Sequence, residues 1–167
     1  MRRIPVWMDE ATAQTIKTRF KYCFEELNNS GYPSILEDCR ITDPLTPLQL
    51  EGEGGTVDVI PFYQQHGRIR SLGYKIGNMA YSSDISELPE ESVKFIEGVD
   101  VWIVDALRQT PHPTHFHLEK TIEHIERLNV KKAYLTNLHI DMDYANLCKD
   151  LPDHIRPAYD GLEIYLG

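Results

Sequence analysis

The stretch "VDVWIVDAL", residues 99–107, narrows the folds open to this chain more than any other. Its apolar residues run almost without a break, which suits a strand buried on both faces inside a parallel sheet. Downstream, Leu118, Ile122, Ile125 and Leu128 recur at helical spacing, and "KKAYLTNL" reads as the next strand. Parallel neighbours joined through a helix need a right-handed crossover, so this half of the chain implies a layered α/β fold.

The first half is more varied. "IPVW" reads as a short strand, and Asp9 is placed to cap a helix from Glu10 to Leu27, with Ala13, Ile16, Phe20, Phe24 and Leu27 on one face. "NNSGYPS" breaks that helix. "ILEDCRIT" and "TVDVIPFYQQH" read as strands around the turn-rich "LEGEGG", and "SLGYKIG" with "MAYSSD" as a hairpin turning at Gly77-Asn78. "LPEESVKFIEG" and "DYANLCKDL" are expected as short helices and "GLEIYLG" as a closing strand. With no repeat or linker, residues 1–167 are expected to form a single domain.

Charge and cysteines exclude several classes. A formal net charge of −9 argues against broad nucleic-acid binding, which needs a basic surface. It leaves room for a small anion in a locally positive pocket. Cys23, Cys39 and Cys148 are scattered and odd in number, so neither a disulfide scaffold nor a cysteine-zinc site is expected, and a reducing cytoplasm fits. No apolar run has the length of a membrane span, and no membrane association is expected.

In open α/β sheets, ligands collect at the carboxyl ends of strands. There the chain places His66, Asp84, Asp105, Asn137 and His139, and the histidine-rich "HPTHFH" of residues 112–117 follows the Asp105 strand. Any one of these residues alone is more simply a turn former or a cap. Together, imidazoles and carboxylates suit zinc, manganese or iron, and Asp84 has two oxygens with which to bridge a pair of ions that clamp a phosphoryl group. Asp105 has two readings, orienting a histidine or capping a loop. Thr114 is expected to cap the next helix, putting His115 and His117 in a first turn whose positive end favours phosphate. One of the three histidines is expected to face the site, with His124 in solvent. Asp141 and Asp143 read as a helix cap and a first-turn charge, and Tyr144 as packing.

These segments in this order, "QQHG", "SLGYKIG", "AYSSDIS", "VDVWIVDALR", "HPTHFHLEKTIEHIE" and "KKAYLTNLHIDMDY", resemble the metallo-β-lactamase superfamily. Within it they are most similar to the cyclic-phosphate phosphodiesterase branch, related to phosphoribosyl cyclic phosphodiesterase. The resemblance implies a partial αββα sandwich, its C-terminal two-thirds, and a metal-dependent phosphodiesterase acting on a small phosphate ester, with zinc or manganese as cofactor. It implies that His66 binds one metal, that Asp84 bridges the metals, and that His115 serves the phosphate as acid or donor. The last metal histidine of the family follows "LT", where this chain has Asn137; His139, two residues on, is expected to take its place.

The superfamily's H-x-H-x-D-H motif is absent, so the sequence resembles the family with its first third removed, and weak metal binding and impaired activity are expected. A homo-oligomer is among the expected states. The rival readings are an inactive remnant or anion-binding domain that keeps the fold, and an unrelated nucleotide-binding module. The latter is disfavoured by the lack of a glycine-rich phosphate loop. Hydrolysis of β-lactams themselves is not expected.

Overall fold

The computed structural model describes residues 3–26 and 31–166. The chain divides into two compact units, Met1–Pro44 and Leu45–Gly167. The first holds β1 (Ile4–Met8), α1 (Glu10–Arg19), α2 (Lys21–Phe24) and β2 (Leu36–Arg40), with β1 and β2 parallel. Asp9 caps α1 as expected, its carboxylate accepting from the Thr12 N–H at 2.8 Å. The expected continuous helix is instead two. Phe20 leaves helical geometry at φ −123°, ψ 38°, and the turn that restarts there carries Phe24 into a small core with Met8 and Ala13. Leu27, the last residue of the expected stripe, lies outside the described residues.

The second unit holds β3 (Leu48–Gly52), β4 (Gly55–His66), β5 (Ile69–Ile76), β6 (Met79–Ser82), α3 (Glu90–Val93) and β7 (Val101–Asp105). It continues with α4 (Leu118–Arg127), β8 (Lys132–Thr136), α5 (Tyr144–Asp150) and β9 (Ile155–Pro157). Among the described residues its sheet runs in plain chain order from β3 to β9. Pairing is antiparallel from β3 to β6 and parallel from β6 to β9. That parity matters for function. β4 and β6 flank the antiparallel β5 and so point the same way, as do β7 and β8, which puts the carboxyl ends of β4, β6, β7 and β8 on one edge.

Two strand assignments differ from expectation. In "LEGEGG" Leu50, Glu51 and Gly52 end β3 and Gly55 opens β4, so only Glu53 and Gly54 form the tight turn between them. The closing strand is β9, where Ile155 and Pro157 pair with Ala133 and Leu135; the described part of "GLEIYLG" carries no strand, and Tyr165 there is almost fully exposed. Sheet and helices close over Phe62, Trp102, Val104, Phe116, Ile125 and Leu135, all fully buried. The Trp102 indole N–H donates to Ser82 Oγ at 3.0 Å, meeting the need of a buried polar group.

The start of α4 also differs. The helix begins at Leu118 with His117 at the cap position and no side-chain cap, so Thr114 does not cap it and His115 is not in its first turn. The cause is Phe116. Its ring is fully buried, and its backbone is tied on one side to the Ile85 carbonyl and on the other to the Leu107 N–H. Phe116 is thereby held at the sheet edge through its backbone, and the helix forms only after it. Among the described residues, no helix is long and apolar enough to cross a membrane.

Candidate metal centre

Each side chain at the carboxyl edge is held by a neighbour from another part of the chain. His66 ends β4, and its Nδ1–H donates to the Thr114 carbonyl at 2.7 Å. His115 Nδ1 lies 2.6 Å from Asp105 Oδ2, at the end of β7. The Thr114 carbonyl only accepts, so the His66 imidazole carries a proton on Nδ1, and a proton on Nδ1 of His115 suits its bond to the Asp105 carboxylate; the same Nδ1 lies 3.8 Å from Asp84 Oδ1. Of the two readings of Asp105, the structure supports orientation of a histidine, and Oδ2 also accepts from the Ile85 N–H at 3.2 Å. Burial pushes the Asp105 carboxyl above its ordinary value, and the bond and charge of His115 pull it partly back. Its Oδ1 is buried, and among the described residues no hydrogen-bond partner meets it.

Asp84 follows β6 in left-handed geometry, φ 53°, and Asn137 follows β8 in the same region, φ 64°. The two meet: Asn137 Nδ2 donates to Asp84 Oδ1 at 3.1 Å. His66, Asp84 and His115 each offer one ligating atom, and these atoms all lie within 4.8 Å of one another. The imidazole rings of His66 and His115 are 4.7 Å apart between centroids and nearly perpendicular.

Ligands bonded at about 2.0–2.2 Å to one tetrahedral ion lie roughly 3.3–3.6 Å apart, so atoms spread over up to 4.8 Å would have to close by as much as about 1–1.5 Å to share one. Two imidazoles and one carboxylate suit a divalent cation, and each imidazole is held at Nδ1 by a partner as metal-bound histidines usually are.

His139 lies outside this group. Its Nδ1 is 2.8 Å from Asp141 Oδ1, its side chain is 53% exposed, and its backbone N–H is tied to the Leu107 carbonyl. Asn137 holds the strand-end position beside Asp84. The sequence reading gave His139 to the metal and His115 to the phosphate; the structure gathers His115, and not His139, with His66 and Asp84.

The other candidates have separate places. His112 Nδ1 takes the Thr114 N–H at 3.3 Å, and burial, followed by the charges of Arg108, His115 and His66, lowers its pKa. His117 is half-buried, its Nε2 3.9 Å from Glu119. His124, expected in solvent, is half-buried against the Phe116 ring, 4.7 Å between centroids, because the ring that pulls the loop inward also covers this face of α4. Asp143, expected as a first-turn charge, is the residue that caps α5, accepting from the Asn146 N–H at 2.8 Å, whereas Asp141, the expected cap, lies 2.8 Å from His139 Nδ1. Beside Asn137 lies a cavity of about 310 Å³, bordered by Thr136, Leu138, Ala158, Tyr159 and Asp160.

Residues 1–140 match the Beta-lactamase superfamily domain. A diphosphatase of the PhnP family has the same fold at 30% identity and a TM-score of 0.84, the match covering all of this chain and 60% of that one. Human tRNase Z, short form, matches at 15% identity and TM-score 0.63, over 100% of this chain and 69% of that one. Zinc-bound PqqB from Methylobacterium extorquens matches at 12% identity and TM-score 0.71, over 99% of this chain and 66% of that one; both likenesses bear on the fold alone. An octanoyltransferase from Porphyromonas gingivalis is 30% identical over 165 residues, 97% of this chain. The chain spans only 32% of that octanoyltransferase and 60% of the diphosphatase. By its family match, the chain belongs to the β-lactamase superfamily.

Proposed function

We propose that this chain carries part of a metal-dependent hydrolase centre acting on a small phosphate ester, with His66, Asp84 and His115 holding a divalent cation, zinc or manganese. The observation that carries this reading is the convergence of a carboxylate and two imidazoles, each imidazole held at Nδ1. Such a cation polarises a phosphoryl oxygen and lowers the pKa of a nearby water. The chain's own residues set the geometry. Thr114 and Asp105 fix the two imidazole rings, and Asn137 steadies the carboxylate. The cavity beside Asn137 has room for the organic part of an ester. In a chain of net charge −9, a bound cation supplies the local positive field that an anionic substrate needs. The diphosphatase likeness supports phosphoryl chemistry as the reaction class.

The 2.6 Å bond between His115 and Asp105 favours a second role, in which His115, protonated at both ring nitrogens, gives its Nε2 proton to the leaving oxygen, keeps its Nδ1 proton on Asp105 and stays off the metal. Metal analysis after dialysis against Mn²⁺ or Zn²⁺, with hydrolysis of bis(p-nitrophenyl) phosphate as the activity readout, separates the readings. Under the ligand role, His115→Ala lowers bound metal. Under the proton role it leaves metal unchanged and lowers turnover by about 10²–10⁴-fold. Metal bound without turnover in the parent chain would favour an anion-binding domain, and no bound metal would sink the proposal.

A further inference from the structure

We infer that the cavity beside Asn137 is a stacking site for the organic part of the ester, with Tyr159 as its platform and a nucleobase as the group it fits. The inference rests on the phosphate-ester reading above and names the part of the substrate that lies away from the metal centre. The cavity exists because two neighbouring strands part. β8 and β9 run parallel, and just past them the Ala158 N–H still donates to the Leu135 carbonyl at 2.8 Å. Beyond that bond the β8 chain follows β7 instead. The Thr136 carbonyl accepts from the Ala106 N–H at 3.1 Å, and the His139 N–H donates to the Leu107 carbonyl at 2.8 Å. A space of about 310 Å³ opens between residues 135–138 and 158–160, at the carboxyl edge of the sheet. Asn137 joins it to the metal cluster, since it borders the cavity and donates to Asp84 Oδ1 at 3.1 Å.

The lining selects the occupant. Leu135, Leu138 and Ala158 contribute apolar surface, and Asp160 a carboxylate. Tyr159 is 56% exposed, a large ring left open at the border of the cavity. That ring is not loose. Tyr144, at the start of α5, meets it nearly at right angles, 6.2 Å between centroids, and the Tyr159 carbonyl accepts from the Leu162 N–H at 3.1 Å. A tyrosine fixed in this way offers flat contact area with little conformational entropy to lose. Every base has a π-face that can stack on such a ring. The Asp160 carboxylate accepts hydrogen bonds and repels a second anion, so it favours an uncharged group with N–H donors. A nucleobase meets all three conditions: it is flat, uncharged and bears N–H groups. A bare sugar lacks the flat face, and an acidic tail carries the wrong charge.

The test reads binding and does not depend on turnover. The chain, with Mn²⁺ present, is titrated by calorimetry with adenosine monophosphate and with ribose 5-phosphate, which differ by the base. The parent chain should bind the nucleotide about 10–100-fold more tightly, the effect of one base stacked on an aromatic ring. Tyr159→Phe should keep that preference. Tyr159→Ala should remove it and leave the affinity for ribose 5-phosphate as it was. The comparison within the parent needs no variant, so a poorly folding Tyr159→Ala does not shelter the inference. Equal affinities in the parent, or a preference that survives Tyr159→Ala, overturn the stacking site and leave the phosphate-ester reading standing. Failure of both compounds to bind overturns both.

Discussion

Asn137, just past β8, and Asp84, two residues past β6, are both left-handed, φ 64° and 53°, and the Asn137 amide donates to Asp84 Oδ1 at 3.1 Å. Left-handed geometry costs an ordinary L-residue roughly 1–2 kcal/mol, and asparagine and aspartate bear it best. Strain of this kind persists where the surroundings over-determine it, often at functional sites. Asp84→Asn should therefore keep close to parent stability and lose cation binding. Asp84→Ala should lose binding and also about 1 kcal/mol of stability. Urea unfolding with Zn²⁺ binding by a competing dye reads both effects; equal stability of the two variants would remove the backbone argument.

Asp105 braces His115 from behind and is fully buried. Asp105→Asn removes the charge-assisted bond with little change of shape. Cation affinity should fall by about 10–100-fold, the usual effect of losing the partner behind a metal-bound histidine. Unchanged affinity in a chelator competition would show that His115 does not serve the cation through this bond.

Gly67 turns the β4–β5 hairpin at φ +61°, and a Cβ there would lie 2.6 Å from the Thr114 methyl group. Gly67→Ala should push residue 114 away from His66, lower the thermal midpoint and weaken cation binding. Adding Thr114→Ser removes that methyl and should restore part of both losses. The remainder is the left-handed backbone cost, which the second substitution does not touch. No recovery in the double variant would contradict the steric account.

His124 packs on Phe116, and burial lowers its pKa, helped by the charges of Arg127 and Lys120 and opposed by the bond to the Lys120 carbonyl and the charge of Glu123. A histidine depressed in the folded state is protonated first in the unfolded chain. Its stabilising contribution is complete above the unfolded value near 6.5 and is lost as pH falls through the folded value. The urea midpoint should fall as pH drops below about 6.5, and His124→Gln should flatten part of that slope. His112, also lowered by burial, should account for part of what remains. A slope unchanged in His124→Gln would count against its burial in solution.

Local periodicity made much of the fold legible. The unbroken apolar run at Val101–Asp105 and the stripe of Leu118, Ile122, Ile125 and Leu128 each follow from one element meeting one core, so strand, helix and crossover could be read in order. The carboxyl-edge rule then placed His66, Asp84 and Asp105 together, because strand direction alternates predictably through hairpins and stays fixed through crossovers. Short edge strands carry too few residues for a pattern, which is why β3 read as a turn and β9 was overlooked.

What only the tertiary structure decided were choices between near neighbours in sequence. Thr114 has the better cap chemistry, yet burial of the Phe116 ring outweighs a cap and delays the helix to Leu118. His139 has the better ligand chemistry, yet its backbone bond to Leu107 turns it to Asp141 and leaves Asn137 on Asp84. His115 reaches the centre through Asp105, ten residues away in sequence, and His66 through Thr114, forty-eight away. Local sequence sets which residues are able to ligate. Which of them arrive is set by the burial of one aromatic ring and a few backbone hydrogen bonds between strand ends, and these exist only once the sheet has closed.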